Sequence, residues 1–257
     1  MELRHIAMEV SDRIAVVTLD KPPVNALGPA IRKELVAVFD TLSDRDDVRV
    51  VVLTGRGRTF CAGADIKEKA AIGDQPGAYP ATNRLIREAF YCIMECAKPV
   101  IAAVNGPAIG AGLVMLSCCD IIVAAEHAVF AMPEIDVGLA GGSSFLQRVM
   151  ARGRLRRMLL TGERVAAAEM LRLGVIDECV AAEELMPVAL GLARTIALKS
   201  PVAVRMIKQS FGTVENMTLR DGFRYEQEMT VALSRSEDAR EAQAAFLEKR
   251  PPAFKGR

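Results

Sequence analysis

The chain has no tryptophan, three tyrosines and two histidines, and aromatic residues make up only 5% of it. That leaves few platforms for stacking bases and counts against single-stranded nucleic-acid binding. The two histidines, His5 and His127, stand far apart in sequence, so no imidazole-based zinc site is expected. Neither charge is in excess: 33 Lys+Arg face 32 Asp+Glu, so any nucleic-acid role would need a local patch. No CxxC pair occurs among Cys61, Cys92, Cys96, Cys118, Cys119 and Cys179, which read as reduced, mostly buried thiols rather than a disulfide framework. A GxxxxGK[ST] phosphate loop is missing, and Gly110-Ala111-Gly112 meets Met115 where a dinucleotide fingerprint needs its third glycine. GxSxG is absent too, and Cys61 has too few histidines available to be activated as a nucleophile, so a packing role is expected for it. The stretch Met1–His5 lacks the apolar core of a secretory signal. Pro99–Cys119 is uncharged and long enough to span a membrane, but Asn105, Gly106, Pro107, Gly110 and Gly112 punctuate it as a buried strand, a turn and a buried helix. A soluble protein is expected.

What is present suits a folded α/β protein. Hydrophobic residues make up 51% of the chain and charged ones 25%, enough apolar surface for a large core. Ile14–Leu19, Val48–Thr54, Val100–Val104 and Ile121–Ala124 are short β-branched runs typical of buried strands. Pro29–Ser43 reads as a helix with Pro29 in its first turn and Leu35, Val38, Phe39 and Leu42 on one face. Further helices are expected at Gly110–Cys118 and Thr82–Cys96, with a loop over Gly73–Pro80. Beyond about Ala166 the pattern becomes helical, over Glu183–Lys199, Pro201–Phe211, Leu219–Leu233 and Ala239–Lys249, with a short strand near Val175–Val180. The expected organisation is an α/β core over residues 1–195 and a helical C-terminal region over residues 196–257.

Two glycine-rich turns stand out. Phe60-Cys61-Ala62-Gly63-Ala64-Asp65-Ile66-Lys67 follows one predicted strand, and Asn105–Gly112 follows another and opens a helix. Small residues let a ligand approach the backbone, and free N–H groups at a helix start stabilise negative charge. Taken alone, the residues fit two tight turns as well as they fit an oxyanion site.

FCAGADIK at Phe60–Lys67 and NGPAIGAGLVMLSCCD at Asn105–Asp120 resemble the enoyl-CoA hydratase/isomerase (crotonase) family. So do Val24–Leu27, Pro133-Glu134, Gln147-Arg148 and Ala245–Lys255, in the same order and spacing. The resemblance implies a spiral of strand–strand–helix repeats, a helical C-terminal trimerisation region giving trimers or hexamers, and a cytoplasmic enzyme acting on acyl-CoA thioesters. No cofactor is implied, because coenzyme A is part of the substrate. By position, the N–H groups of Ala64 and Ala111 resemble the oxyanion-hole donors. Ala62, Ala64, Asp65, Ile66, Lys67 and Ala111 resemble the residues along the thioester and CoA path. Alanine at 111, where the family commonly has glycine, keeps the N–H.

Hydratases of this family hold a water between two glutamates. Here the first of those positions falls on Val114, which cannot carry a proton, and the second on Glu134. Glu134 lies in an apolar stretch that would desolvate a carboxylate and shift it toward a general base's range. A single carboxylate beside an oxyanion hole suits 3-enoyl to 2-enoyl isomerisation slightly better than hydration, for which Asp136 is the local candidate to position water. The further aspartates of dienoyl-CoA isomerases would fall on Val114 and Gly142, which argues against that chemistry. Other readings are a catalytically silent binding subunit, or RNA binding as in one family branch. That branch resembles a lysine-rich first helix, whereas residues 29–50 here mix both charges. The basic run Arg148, Arg152, Arg154, Arg156 and Arg157 reads first as a solvated or interface helix face, and next, with Lys249, as a contact for CoA phosphates.

Overall fold

The structure, a computed structural model, describes residues 3–65, 67 and 76–257. Its main sheet has six strands. Antiparallel β1 (Ile6–Ser11) and β2 (Ile14–Leu19) are followed by the parallel β3 (Val50–Gly55), β4 (Val100–Val104), β6 (Ile121–Ala125) and β9 (Glu178–Val180). Alternate side chains of these strands enter two separate apolar layers, as a pleat with a period of two residues requires. Val51, Leu53, Val100, Ala102 and Val104 face one layer, and Val50, Val52, Ile101, Ala103 and Val123 face the other.

Helix α1 (Pro29–Asp44) covers the first face. Ile31, Leu35, Val38, Phe39 and Leu42 recur at helical spacing and are all buried, each large side chain contributing about 1.5–3 kcal/mol over its exposed state. Helix α2 (Ala78–Met94) packs beside it through Phe90 and Ile93. The second face is covered by α7 (Leu185–Ala197), which buries Leu185 and then a small-residue stripe of Ala189, Ala193 and Ala197 that lets the helix lie close to the strands. The remaining C-terminal helices are α8 (Pro201–Val214), α9 (Leu219–Ser234) and α10 (Glu237–Glu248). Each starts at a Ser or Thr cap, Ser200, Thr218 or Ser236, whose side chain accepts a first-turn N–H.

Three shorter helices, α4 (Ser143–Leu146), α5 (Arg152–Thr161) and α6 (Ala167–Arg172), follow the centre of the chain. The basic run is not one bare cationic face. Arg148 pairs with Glu215, and Arg154 and Arg157 both pair with Glu163.

Lys208 joins α8 to the sheet. Its Nζ donates to Lys98 O at 2.9 Å and to Asp120 Oδ2 at 2.8 Å, and the same oxygen accepts from Val100 N at 2.7 Å. The Lys208 side chain is 8% exposed. Asp120→Ala would strand a buried ammonium, and such losses cost about 3–5 kcal/mol. A lower urea midpoint is expected for Asp120→Ala, recovered in large part by adding Lys208→Met. Equal midpoints for wild type and single variant would contradict this account.

Candidate active site

A second, smaller sheet runs alongside the first and decides where the turns go. It contains β5 (Ala108–Ile109), β7 (Val129–Ala131) and β8 (Arg164–Ala166), and isolated parallel bridges Leu27↔Ala64 and Cys61↔Ala108 extend it. Cys61 pairs in parallel with Ala108, and Ala108 in parallel with Phe130. Three residues beyond those partners stand Ala64, Ala111 and Pro133, and Glu134 comes next. Parallel rungs lie about 4.8 Å apart, so the register delivers both turns and the Glu134 segment to one end of this ladder. Ligand sites of parallel sheets form at such carboxyl ends.

Among the described residues, the backbone bonding leaves two amides off the ladder. Leu27 donates to Gly63 O at 2.8 Å and accepts from Asp65 N at 3.2 Å, bracketing Ala64 without using its N–H. Helix α3 (Ala111–Leu116) starts at Gly110, whose N–H goes to Ala131 O at 2.8 Å while its carbonyl accepts from Val114 N at 3.1 Å. Ala111 N is the first amide of that helix, where no intrahelical acceptor exists. Gly63 sits between the two amides: a β-carbon there would lie 2.7 Å from Ile109 O and 3.4 Å from Ala111 N, and its φ of 92° is in glycine's range.

Glu134 enters from the 3-10 turn Pro133–Val137. Its carboxylate lies on the main chain of Gly110, where a β-carbon would be 2.4 Å from Oε1, and its Oε2 is shielded from solvent. Val114, whose N–H bonds the Gly110 carbonyl, is buried at 4% exposure. The Cγ2 of Val114 and the Cε of Met132 converge on Gly142, 3.1 Å and 2.5 Å from a β-carbon built there. Position 114 is therefore packed among apolar groups and supplies no second carboxylate.

Asp136 does not fill that gap. A 3-10 turn advances 120° per residue, so a side chain two positions on points elsewhere. The Asp136 carboxylate lies against Gly162, 2.9 Å from a β-carbon there, at the end of α5, and the residue is exposed. Asp65 is ion-paired to Lys21 at 2.9 Å and accepts from Lys67 N at 3.1 Å. Ala62 gives its N–H to Val24 O at 3.0 Å, and Lys67 is exposed. Ile66 and residues 73–75 of the loop expected over Gly73–Pro80 lie outside the described residues; Pro76-Gly77 is a turn, and Ala78–Pro80 are helical where a loop was expected, as the first residues of α2. Cys61 is fully buried, its Sγ accepts from Gly63 N at 3.4 Å, and burial pushes its thiol up to about 12, which suits packing and not nucleophilic attack.

Asn25, within the Val24–Leu27 run, is a supporting residue whose one signal in the sequence is a polar side chain between Val24 and Ala26-Leu27. It is 1% exposed, with its Oδ1 accepting from Lys21 N and its Nδ2 donating to the carbonyls of Arg56, Thr59 and Phe60. It thereby fixes the approach to the Ala64 turn. Asn105 braces the second turn, accepting from Gly55 N and donating to Gly57 O.

The family model described as enoyl-CoA hydratase/isomerase matches residues 9–257. The chain belongs to the enoyl-CoA hydratase/isomerase family. It is 35% identical over 250 residues to a probable mitochondrial enoyl-CoA hydratase of Dictyostelium discoideum, covering 96% of this chain and 89% of that one. It is 34% identical over 249 residues to the 2,3-dehydroadipyl-CoA hydratase of Escherichia coli strain K12, covering 95% and 96%. Among solved structures, an enoyl-CoA hydratase of Geobacillus kaustophilus HTA426 matches all of both chains at 37% identity and a TM-score of 0.92. An enoyl-CoA hydratase of Mycobacterium smegmatis matches at 31% identity and a TM-score of 0.94, covering 98% of this chain and 99% of that one. The fold is thus the crotonase fold, and the protein is an enoyl-CoA hydratase/isomerase family enzyme acting on acyl-CoA thioesters.

Proposed function

We propose that this family member moves a proton on a thioester enolate, with Glu134 as its acid/base and the N–H groups of Ala64 and Ala111 as the oxyanion donors. The observation that carries this reading is the Glu134 carboxylate set against the main chain of Gly110, the residue that opens the Ala111 helix, with valine at 114 in that helix. Glu134 removes a C2 proton from a 3-enoyl-CoA, and the electron pair moves onto the thioester oxygen. The protonated carboxyl then delivers a proton to C4, leaving the 2-enoyl isomer. Each aimed N–H that meets the oxyanion typically contributes about 3–4 kcal/mol in the transition state. Nothing is consumed, and CoA enters as part of the substrate, its path running by Ala62, Asp65, Ile66 and Lys67. Val114 cannot orient a water, so isomerisation is slightly favoured over hydration.

Hydration is the second reading, favoured by relatives named as hydratases. It needs a water held opposite Glu134 by a group other than Val114. Separate incubations with 3-enoyl-CoA and 2-enoyl-CoA in deuterated water distinguish the two. Deuterium incorporation and 2-enoyl product from the first, with little 3-hydroxyacyl-CoA from the second, are expected. Rapid formation of 3-hydroxyacyl-CoA would overturn the preference for isomerisation.

The same reading includes self-association through the C-terminal helices. Phe211, Leu219, Phe223, Phe246 and Leu247 are all more than half exposed, an apolar area that isolated chains rarely leave in water. Light scattering should give the mass of three or six chains, and a monomer would remove the proposal.

A further inference from the structure

At the amino-terminal end of the main sheet, away from the turns just described, lies a recess of about 310 Å³. The residues that immediately precede or begin the parallel run supply part of its wall: Arg13 before β2, Arg49 before β3, and Lys98-Pro99 before β4. Arg205 comes from α8, and Lys255 and Arg257 from the tail. Six cationic side chains thus surround it, and Asp46 is its only acidic side chain among the described residues.

Part of this charge is engaged nearby, since Lys255 also lines an adjacent recess with Glu237, Asp238 and Glu241 and helps lower the pKa of Glu241. Arg257 pairs with Glu237 at 3.1 Å, and Arg49 is held by two carbonyls, Ala197 O at 2.8 Å and Phe254 O at 3.1 Å. Among the described residues, no carboxylate lies within ion-pair distance of Arg13, Lys98, Arg205 or Lys255. Burial first, then the charge of Arg205, lowers the pKa of Lys98, while Asp44 and Asp46 act weakly in the other direction. Burial first, then Arg13, lowers that of Arg49, against a weaker pull from Asp238. Pro201 and Val202, in the first turn of the 14-residue α8, also line the recess, so the positive end of that helix adds to the field.

We infer that this recess binds a compact anion carrying two or more phosphoryl groups. Arg13, Lys98 and Arg205, cations without an ion-pair partner among the described residues, match several negative oxygens around one cavity, and the guanidinium groups of Arg13 and Arg205 suit bidentate contact with phosphate. A cavity of this size admits a diphosphate or triphosphate group but not a nucleic-acid duplex. The β2, β3 and β4 strands, each spanning roughly 20 Å or less, separate it from the turns at Ala64 and Ala111, and competition with acyl-CoA tests that the two sites are distinct.

The test is isothermal titration of the assembled enzyme with inorganic pyrophosphate. One saturable site per chain is expected, weakened by salt, and weakened about tenfold or more in Lys98→Ala/Arg205→Ala, since each lost charge-assisted bond is worth that much. The double variant should keep wild-type turnover, which shows that it folds, and saturating acyl-CoA should leave pyrophosphate binding intact. No saturable binding, equal binding by the double variant, or displacement of all pyrophosphate by acyl-CoA would each overturn the assignment. So would binding of RNA at physiological salt in the absence of any pyrophosphate binding.

Discussion

Glu134→Gln is expected to lower kcat about a thousandfold while leaving KM within a few fold, within the 10²–10⁴ span of acid/base contributions. Glutamine has the same shape and can keep the contact with the main chain at Gly110, where Oε1 now lies 2.4 Å from a built β-carbon. What it loses is the ability to take a proton and return it. Steady-state rates and solvent deuterium exchange at C2 should fall together, because the same group serves both directions of the transfer. Activity within tenfold of wild type, with an unchanged melting curve, would move the acid/base role to another residue.

Gly110→Ala is expected to cost about a hundredfold in kcat, an effect of position and not of chemistry, since misplacement of a catalytic group by about 1 Å is worth that much. The new methyl must push the Glu134 carboxylate aside, and the backbone at φ 54° adds strain of about 1–3 kcal/mol for any L side chain. Gly57→Ala is the matched control. Its φ is 80°, but a β-carbon there meets nothing within 4 Å, so it should lose some stability and none of its turnover. Equal turnover for Gly110→Ala and Gly57→Ala would show that contact at Gly110 does not set the carboxylate's position.

Long apolar runs made much of the fold legible. Ile14–Leu19 and Val100–Val104 are strands over the predicted residues, and Pro29–Ser43 is extended by one residue to Asp44. Strand β1 gave no comparable signal. It pairs with β2 through a turn whose central Asp12 and Arg13 both have positive φ, a conformation usually announced by Asn-Gly or Asp-Gly. The strands of the small sheet hold two or three residues, too few to show a period, and are fixed by pairing between distant segments. That sheet is also what brings the site together. Motif order could therefore name Ala64, Ala111 and Glu134, but their meeting depends on the Cys61↔Ala108 and Ala108↔Phe130 register. The direction of Asp136 likewise follows from the 3-10 turn, which a sequence rich in apolar residues and one proline does not display.

The Ala64 and Ala111 amides belong to the main chain, and every residue but proline carries one. Point substitution can therefore erase Glu134 or replace Val114 in a single step but can seldom remove either amide. On the proposed reading, the charge-stabilising half of the site is therefore hard to lose, and the proton-moving half is open to single substitutions. A new reaction then asks for one altered side chain against a constant background.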